Sequence, residues 1–295
     1  MSTENANTLH PSLALGDALP SHGQNSGAQH IYVSLADMIS EHIFYHPGYE
    51  SAEVQLSEID QSSIDAIIGA QPLAEHFVST MVEKITESIT ANHKAVRVSL
   101  SDSDSYMFRT LLGGQFEPEE INPALGLRGV SRFATESYSP VFALECEVVK
   151  KLRATGVEVE VVVPFVRTLS DAAKIIDLLA EQGLSRGQNG LKVSYCVDVP
   201  SSALLADKLL PYFDGVVVDI ENLAQTTLGI DRYSPLLEYL FDADNDAVLQ
   251  LVKGTIAAAR ECAKPALVLS SGLLGYPKLM DLLSEQGALD VVVTS

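Results

Sequence analysis

A closed (β/α)8 barrel is the fold that this sequence predicts, and three observations predict it. Eight short runs recur along the chain: Ile31–Leu35, Ala95–Leu100, Leu125–Arg128, Val157–Phe165, Lys192–Pro200, Gly215–Ile220, Ala266–Ser271 and Leu289–Thr294. Several are apolar throughout (Val161–Val163, Val216–Val218, Val291–Val293), as parallel strands covered on both faces must be. Amphipathic helix patterns separate the runs, and no glycine-rich phosphate fingerprint of the open doubly wound type follows any of them.

Taken in order, residues 1–29 are rich in Ser, Asn, Gly and His and lack apolar periodicity, so they read as a flexible N-terminal arm. The barrel domain is then 30–295, with Ile31–Leu35 as its first strand. Val78, Met81, Val82, Ile85 and Ile89 share one helical face ahead of the second run. Ser170-Asp171 and Ser201-Ser202 supply helix-start signals after the fourth and fifth runs. Val248, Leu251, Val252 and Ile256 form a second buried face. The chain stops directly after the eighth run, so on this reading the last helix is missing.

Composition narrows the function. The 295 residues carry 19 Lys+Arg against 39 Asp+Glu, a net charge of −20, which argues against nucleic acid and anionic membranes as partners. Nothing resembles a membrane span or a secretory signal, so a cytoplasmic location is expected. Cys146, Cys196 and Cys262 are too few for a disulfide scaffold. All seven histidines lie within the first 93 residues, which leaves later chemistry to carboxylates, arginines, amides and hydroxyls. His42 and His46 read as structural rather than as zinc ligands. Asp242, Asp244 and Asp246 read as helix-start caps rather than as a calcium loop.

In such barrels function sits at the C-terminal ends of the strands. Those ends carry Arg97, Arg128, Arg167, Asp198, Asp219, Glu221, Asn222, Ser270 and Ser271. Arginines grip carboxylates and phosphates bidentately, whereas carboxylates from adjacent strands hold Mg²⁺ or Mn²⁺. Together they suit a small anion bridged to a divalent metal. The competing reading makes each carboxylate a helix cap or an arginine partner.

The segment Asn122-Pro123-Ala124-Leu125-Gly126-Leu127-Arg128-Gly129 resembles the NPxLGxRG segment of phosphoenolpyruvate (PEP) synthase, that is, pyruvate, water dikinase. Similar matches follow at Phe142–Glu147, Val163–Thr168, Arg186–Val193, Tyr212–Gly215 and Gln225–Arg232, with His42–Pro47 as an early one. The resemblance implies the PEP/pyruvate-binding barrel, a phosphotransferase fold of the PEP-utilising enzymes that commonly dimerises. It implies Arg97, Arg128 and Arg232 as substrate-binding arginines. It also implies Asp198, Glu221 and Asn222 at metal and phosphate positions, with Ser270 where the family has a catalytic cysteine.

Several of these positions are changed. Asp198 is one methylene shorter than the family's glutamate, and Asn222 offers only a neutral oxygen. Glu221 places a negative charge beside a phosphate position. A serine is a far weaker acid than a thiol. The ATP-grasp and phosphohistidine domains of the family are not seen in the sequence. The expectation is a barrel unable to phosphorylate pyruvate by itself, serving as a binding or assembly subunit, with a separate ATP-grasp/phosphohistidine protein as a possible partner. The alternative is a Mg²⁺- or Mn²⁺-dependent enzyme with a remodelled site for a 2-oxo acid, enolate or PEP-like substrate, acting by aldol, lyase or phosphotransfer chemistry. Either way the ligand is a small anion resembling PEP or pyruvate, and a homodimer is expected.

Overall fold

The computed structural model describes residues 13–20, 27–53, 55–287 and 289–293. Eight parallel strands close into a barrel in chain order: β1 (Leu13–Leu19), β2 (His30–Ser34), β3 (Ala95–Ser99), β4 (Val159–Val163), β5 (Lys192–Val197), β6 (Gly215–Asp219), β7 (Ala266–Ser270) and β8 (Leu289–Val293). The longer helices are α1 (Glu58–Ile68), α2 (Leu73–Ser88), α3 (Ser139–Ala154), α4 (Leu169–Glu181), α5 (Ile220–Leu228), α6 (Asp246–Glu261) and α7 (Pro277–Glu285). The protein is a (β/α)8 barrel.

Two strand assignments change. Leu13–Leu19 lies within the stretch read as an arm, yet it closes the barrel, with Leu15 opposite Val291 of β8 and Ala18 opposite Tyr32 of β2. Its sequence, Leu-Ala-Leu-Gly-Asp-Ala-Leu, has no β-branched residue, so the local signal is weak. Residues 1–12 and 21–26 of the arm lie outside the described residues. Leu125–Arg128 is not a strand: Pro123 opens a single 3-10 turn over Pro123–Leu125, and Leu125 is 74% exposed. An apolar run between Pro123 and Gly129 here marks a loop.

Helix starts also shift slightly. Thr168, not Ser170, caps α4 by accepting from the Asp171 N–H. Ser201 and Ser202 lie inside a short helix that Pro200 opens at its first position. Of the acidic trio, Asp244 accepts from the Lys278 and Leu279 amides at the start of α7, while Asn245 caps α6. Val78, Met81 and Ile85 are buried on α2 as the periodicity predicts, and so are Val248, Val252 and Ile256 on α6.

Inward-facing residues alternate along each strand and stack in layers. Ala18, Tyr32, Val162, Cys196, Val217, Leu267, Leu269 and Val292 fill the middle of the barrel. Below them, at the N-terminal ends, lies a polar layer. Arg97 Nε donates to Glu160 Oε2 at 3.0 Å and Nη2 to Asp290 Oδ2 at 3.2 Å. His30, the first residue of β2, packs beside them, and a Cβ on Gly16 would sit 2.1 Å from its Nε2. Glycine in β1 is therefore what lets the histidine close the floor. Arg97→Met removes the arginine from both acids, but Glu160 keeps Lys192 at 3.3 Å and the Asp290 side chain is partly exposed, so unfolding stability should fall by about 2 kcal/mol. Denaturant titration checks this, and anion binding by the folded variant should be unaltered.

Candidate anion and metal site at the barrel mouth

Two carboxylates converge at the C-terminal end of adjacent strands. Asp198 follows the last residue of β5, and Asp219 is the last residue of β6 and the cap of α5. Ligand atoms of Cys196, Asp198 and Asp219 all lie within 4.8 Å of one another, the one such group of three among the described residues. Asp198 Oδ2 accepts from the Phe165 N–H at 2.7 Å. Asp219 accepts from the Asn222 N–H at 2.9 Å and from Asn222 Nδ2 at 3.0 Å.

The electrostatics of the pair are unfavourable. Burial, then the charges of Asp198 and Glu221, push Asp219 up to about 8. Burial, assisted by Asp102, pushes Asp198 up to about 6. Burial and the two carboxylates drive the Cys196 thiol well above the usual thiol range. A divalent cation would relieve this repulsion, and two hard oxygens from neighbouring strands suit one. The neutral thiol is a poor ligand for Mg²⁺, so further positions fall to water or to a bound anion.

Arginines face the acids. Arg128 is 7% exposed; its Nε donates to the Asp102 carbonyl at 2.8 Å, and its Nη2 lies 3.6 Å from Asp102 Oδ2. Its guanidinium stacks 4.1 Å from the centre of the Phe165 ring, and Arg167 lies 5.1 Å from that ring's centre. Phe165 adopts φ 52, a left-handed conformation costly for a bulky residue, and this same residue donates its N–H to Asp198. Arg167 is turned onto the backbone carbonyls of Gly126, Arg128 and Phe165. Arg232 donates to Tyr233 Oη at 2.7 Å, and its Nε is buried with no hydrogen-bond partner among the described residues. Burial disfavours the Arg232 cation, yet Asp219, Tyr233 and Glu221 hold it above its ordinary value. An orphaned guanidinium N–H at the mouth is an atom for a ligand oxygen to meet.

The structure thus brings Arg128, Arg232, Asp198 and Asn222 together around Asp219, and it separates others. Arg97 lies in the floor, paired with Glu160 and Asp290 as described. On β3 the inward residue nearer the mouth is Ser99. Glu221 is not in the Cys196–Asp198–Asp219 group. Its Oε1 accepts from Ser270 Oγ at 2.8 Å, Ser271 N at 3.0 Å and Gly272 N at 3.2 Å, which ties α5 to the turn after β7. Asn222 aims its amide nitrogen at Asp219 and, at 3.4 Å, at Asp102, which places it as a hydrogen-bond donor between two carboxylates. Ser270 is fully buried against Glu221, whereas Ser271 is exposed and continues the inward parity of Leu267 and Leu269. The serine available at the mouth is Ser271.

Asp102 is the site residue that the strand-end reading passed over. It lies three residues beyond β3, and a carboxylate so close after a predicted strand was the available signal. His46 is buried and bonded to Glu117 at 2.9 Å, a structural role.

A family profile described as PEP-utilising enzyme, PEP-binding domain, matches residues 40–295. The chain belongs to this family. It is 43% identical over 235 residues to the phosphoenolpyruvate synthase of Pseudomonas aeruginosa (strain UCBPP-PA14), covering 78% of this chain and 30% of that protein. It is 40% identical over 217 residues to the phosphoenolpyruvate synthase of Escherichia coli (strain K12), covering 72% of this chain and 27% of that protein. The chain therefore matches less than a third of the length of these relatives. Among solved structures, the HpcH/HpaI aldolase from Desulfitobacterium hafniense DCB-2 aligns with a TM-score of 0.45 and 11% identity, over 96% of this chain and 86% of that one. No helix among the described residues is long and apolar enough to cross a membrane.

Proposed function

We propose that this barrel is a divalent-cation-dependent enzyme acting on a 2-oxo acid or its enolate, bound at the mouth. The observation that carries this reading is the convergence of Asp198, which is buried, and Asp219, which is partly buried, from adjacent strands into one mutually repelling pair. Family membership supports a PEP- or pyruvate-like anion as the ligand. Asp198 and Asp219 would hold the cation, with Mg²⁺ and Mn²⁺ the ions that suit their oxygens. A bound cation supplies Lewis-acid polarisation of a carbonyl. The chain's own part is to clamp and orient. Arg128 and the free N–H of Arg232 would take the carboxylate, Asn222 donates hydrogen bonds to the carboxylates of Asp219 and Asp102, and Ser271 offers a hydroxyl in place of a stronger acid.

A second reading has its own observation. Glu221 is tied to the turn after β7 and Ser270 is buried against it, so neither family position presents the group its role would need. That favours a binding or assembly subunit, served by a separate ATP-grasp/phosphohistidine protein. A homodimer is a further proposal that rests on the family resemblance, and a cytoplasmic location is one that rests on the sequence pattern.

Calorimetric titration with oxalate, pyruvate and PEP, with and without Mn²⁺, separates these readings when joined to one further assay. Pyruvate in deuterated buffer should lose its methyl proton signal by NMR only when protein and metal are both present. Binding without exchange favours the subunit. Failure to bind any of the three anions sinks the mouth as a site for them.

A further inference from the structure

Glu145 on α3 is fully buried, and the site described above gives it no role. Its Oε1 accepts from Tyr138 Oη and its Oε2 from the Ser101 N–H, each at 2.9 Å. Among the described residues no cation pairs with it. Burial pushes its carboxyl up to about 7, against the pull of those hydrogen bonds, and Asp102 adds to the push. Tyr138 is itself fixed between the rings of Phe108 and Phe133, with the Arg132 guanidinium 5.3 Å from its ring centre. A buried acid kept beside another acid, with no counter-ion, is an expensive way to join a helix to a strand. Its contact to Ser101 falls at the residue before Asp102. The Asp102 carbonyl takes Arg128 Nε at 2.8 Å, and its carboxylate faces Arg128 and Asn222.

We propose that Glu145 is a positioning residue of the mouth: through the Ser101 amide it fixes the turn after β3, and that turn holds the Arg128 guanidinium where an anionic ligand meets it. The contacts form an unbroken series from α3 through Ser101 and Asp102 to Arg128. The reach of this inference to ligand binding rests on the mouth being the anion site.

Three variants and two readouts test it. Glu145→Gln keeps an acceptor for the Ser101 N–H, because the Tyr138 hydroxyl can turn to accept from the new amide. Glu145→Leu removes the acceptor. Glu145→Asp is one methylene too short to reach both partners and serves if the leucine variant does not fold. Oxalate affinity in saturating Mn²⁺ should fall about tenfold in the Leu or Asp variant and stay within about twofold in the Gln variant. The Arg128 Nε–Hε signal of ligand-free protein should exchange faster with solvent in the Leu or Asp variant, and as in wild type in the Gln variant. A merely structural Glu145 would lower the melting temperature and leave both readouts of the folded protein unchanged, which overturns the proposal. A Gln variant as impaired as the Leu variant also overturns it. If wild type itself binds no oxalate, the function proposed above fails, and the Arg128 signal alone decides the role of Glu145.

Discussion

Asp198→Asn should weaken Mn²⁺-dependent oxalate binding by about a hundredfold or more, because a neutral amide oxygen replaces one of only two hard anionic donors in the pair. Asp198 offers one oxygen to the Phe165 N–H, and the asparagine oxygen can still take that bond. The loop that places Phe165 against Arg128 and Arg167 should therefore survive, and metal-free stability should not suffer. Calorimetry with Mn²⁺ alone and with Mn²⁺ plus oxalate reads the effect directly. Undiminished metal affinity in this variant would remove Asp198 from the centre and leave the acid pair without a function.

Asp219 gives the second large effect, and it runs in opposite directions for stability and for binding. Its carboxyl titrates near 8 in the folded protein against an ordinary 3.8. The native state thus holds the proton longer than the unfolded chain does. That contribution to stability is complete below about 3.8 and is lost as pH rises through about 8. Metal-free wild type should accordingly melt at a lower temperature at pH 8 than at pH 5.5. Asp219→Asn should flatten that slope and raise the metal-free melting temperature at pH 8, since the repulsion with Asp198 is gone. The same variant should lose Mn²⁺ binding. On the proposed function Mn²⁺ would replace the proton in wild type, so its affinity should climb between pH 6 and pH 8. Thermal melts at the two pH values, with and without Mn²⁺, show whether proton and metal compete at this pair. A variant that melts lower than wild type at pH 8 would mean that the Asn222 hydrogen bonds outweigh the repulsion. Exchange of a carboxylate for an amide that stabilises the fold and abolishes function is what a site built on repulsion predicts.

Much of the barrel is legible in the chain because parallel strands enclosed by helices must be apolar on both faces, and valine triplets announce that requirement without any context. β1 is the exception. Leu13–Leu19 has neither β-branched residues nor clean alternation, and it is a strand because β2 and β8 leave a gap that only a paired backbone can fill. Arg97 shows a second limit. A strand's sequence says that Arg97 and Ser99 share a face, but the stagger of the strands decides that Arg97 meets Glu160 and Asp290 in the floor. The pair Ser270 and Ser271 shows a third, because the side to which a terminal residue turns depends on the parity set by Leu267 and Leu269.

The sequence by itself determined the fold class, the family and the identity of the acids and arginines available for chemistry, since composition, hydrophobic period and motif order are properties of the chain alone. Tertiary structure decided which of them meet. Asp198 and Asp219 come together because neighbouring strands in register end at one height. Glu221 is drawn away because three donors beyond β7 converge on one of its oxygens. Asp102 enters the mouth because Glu145, 44 positions later in the chain than Ser101, holds the turn that carries it. Contacts between residues far apart in sequence depend on strand stagger and side-chain direction, and neither is written in local pattern.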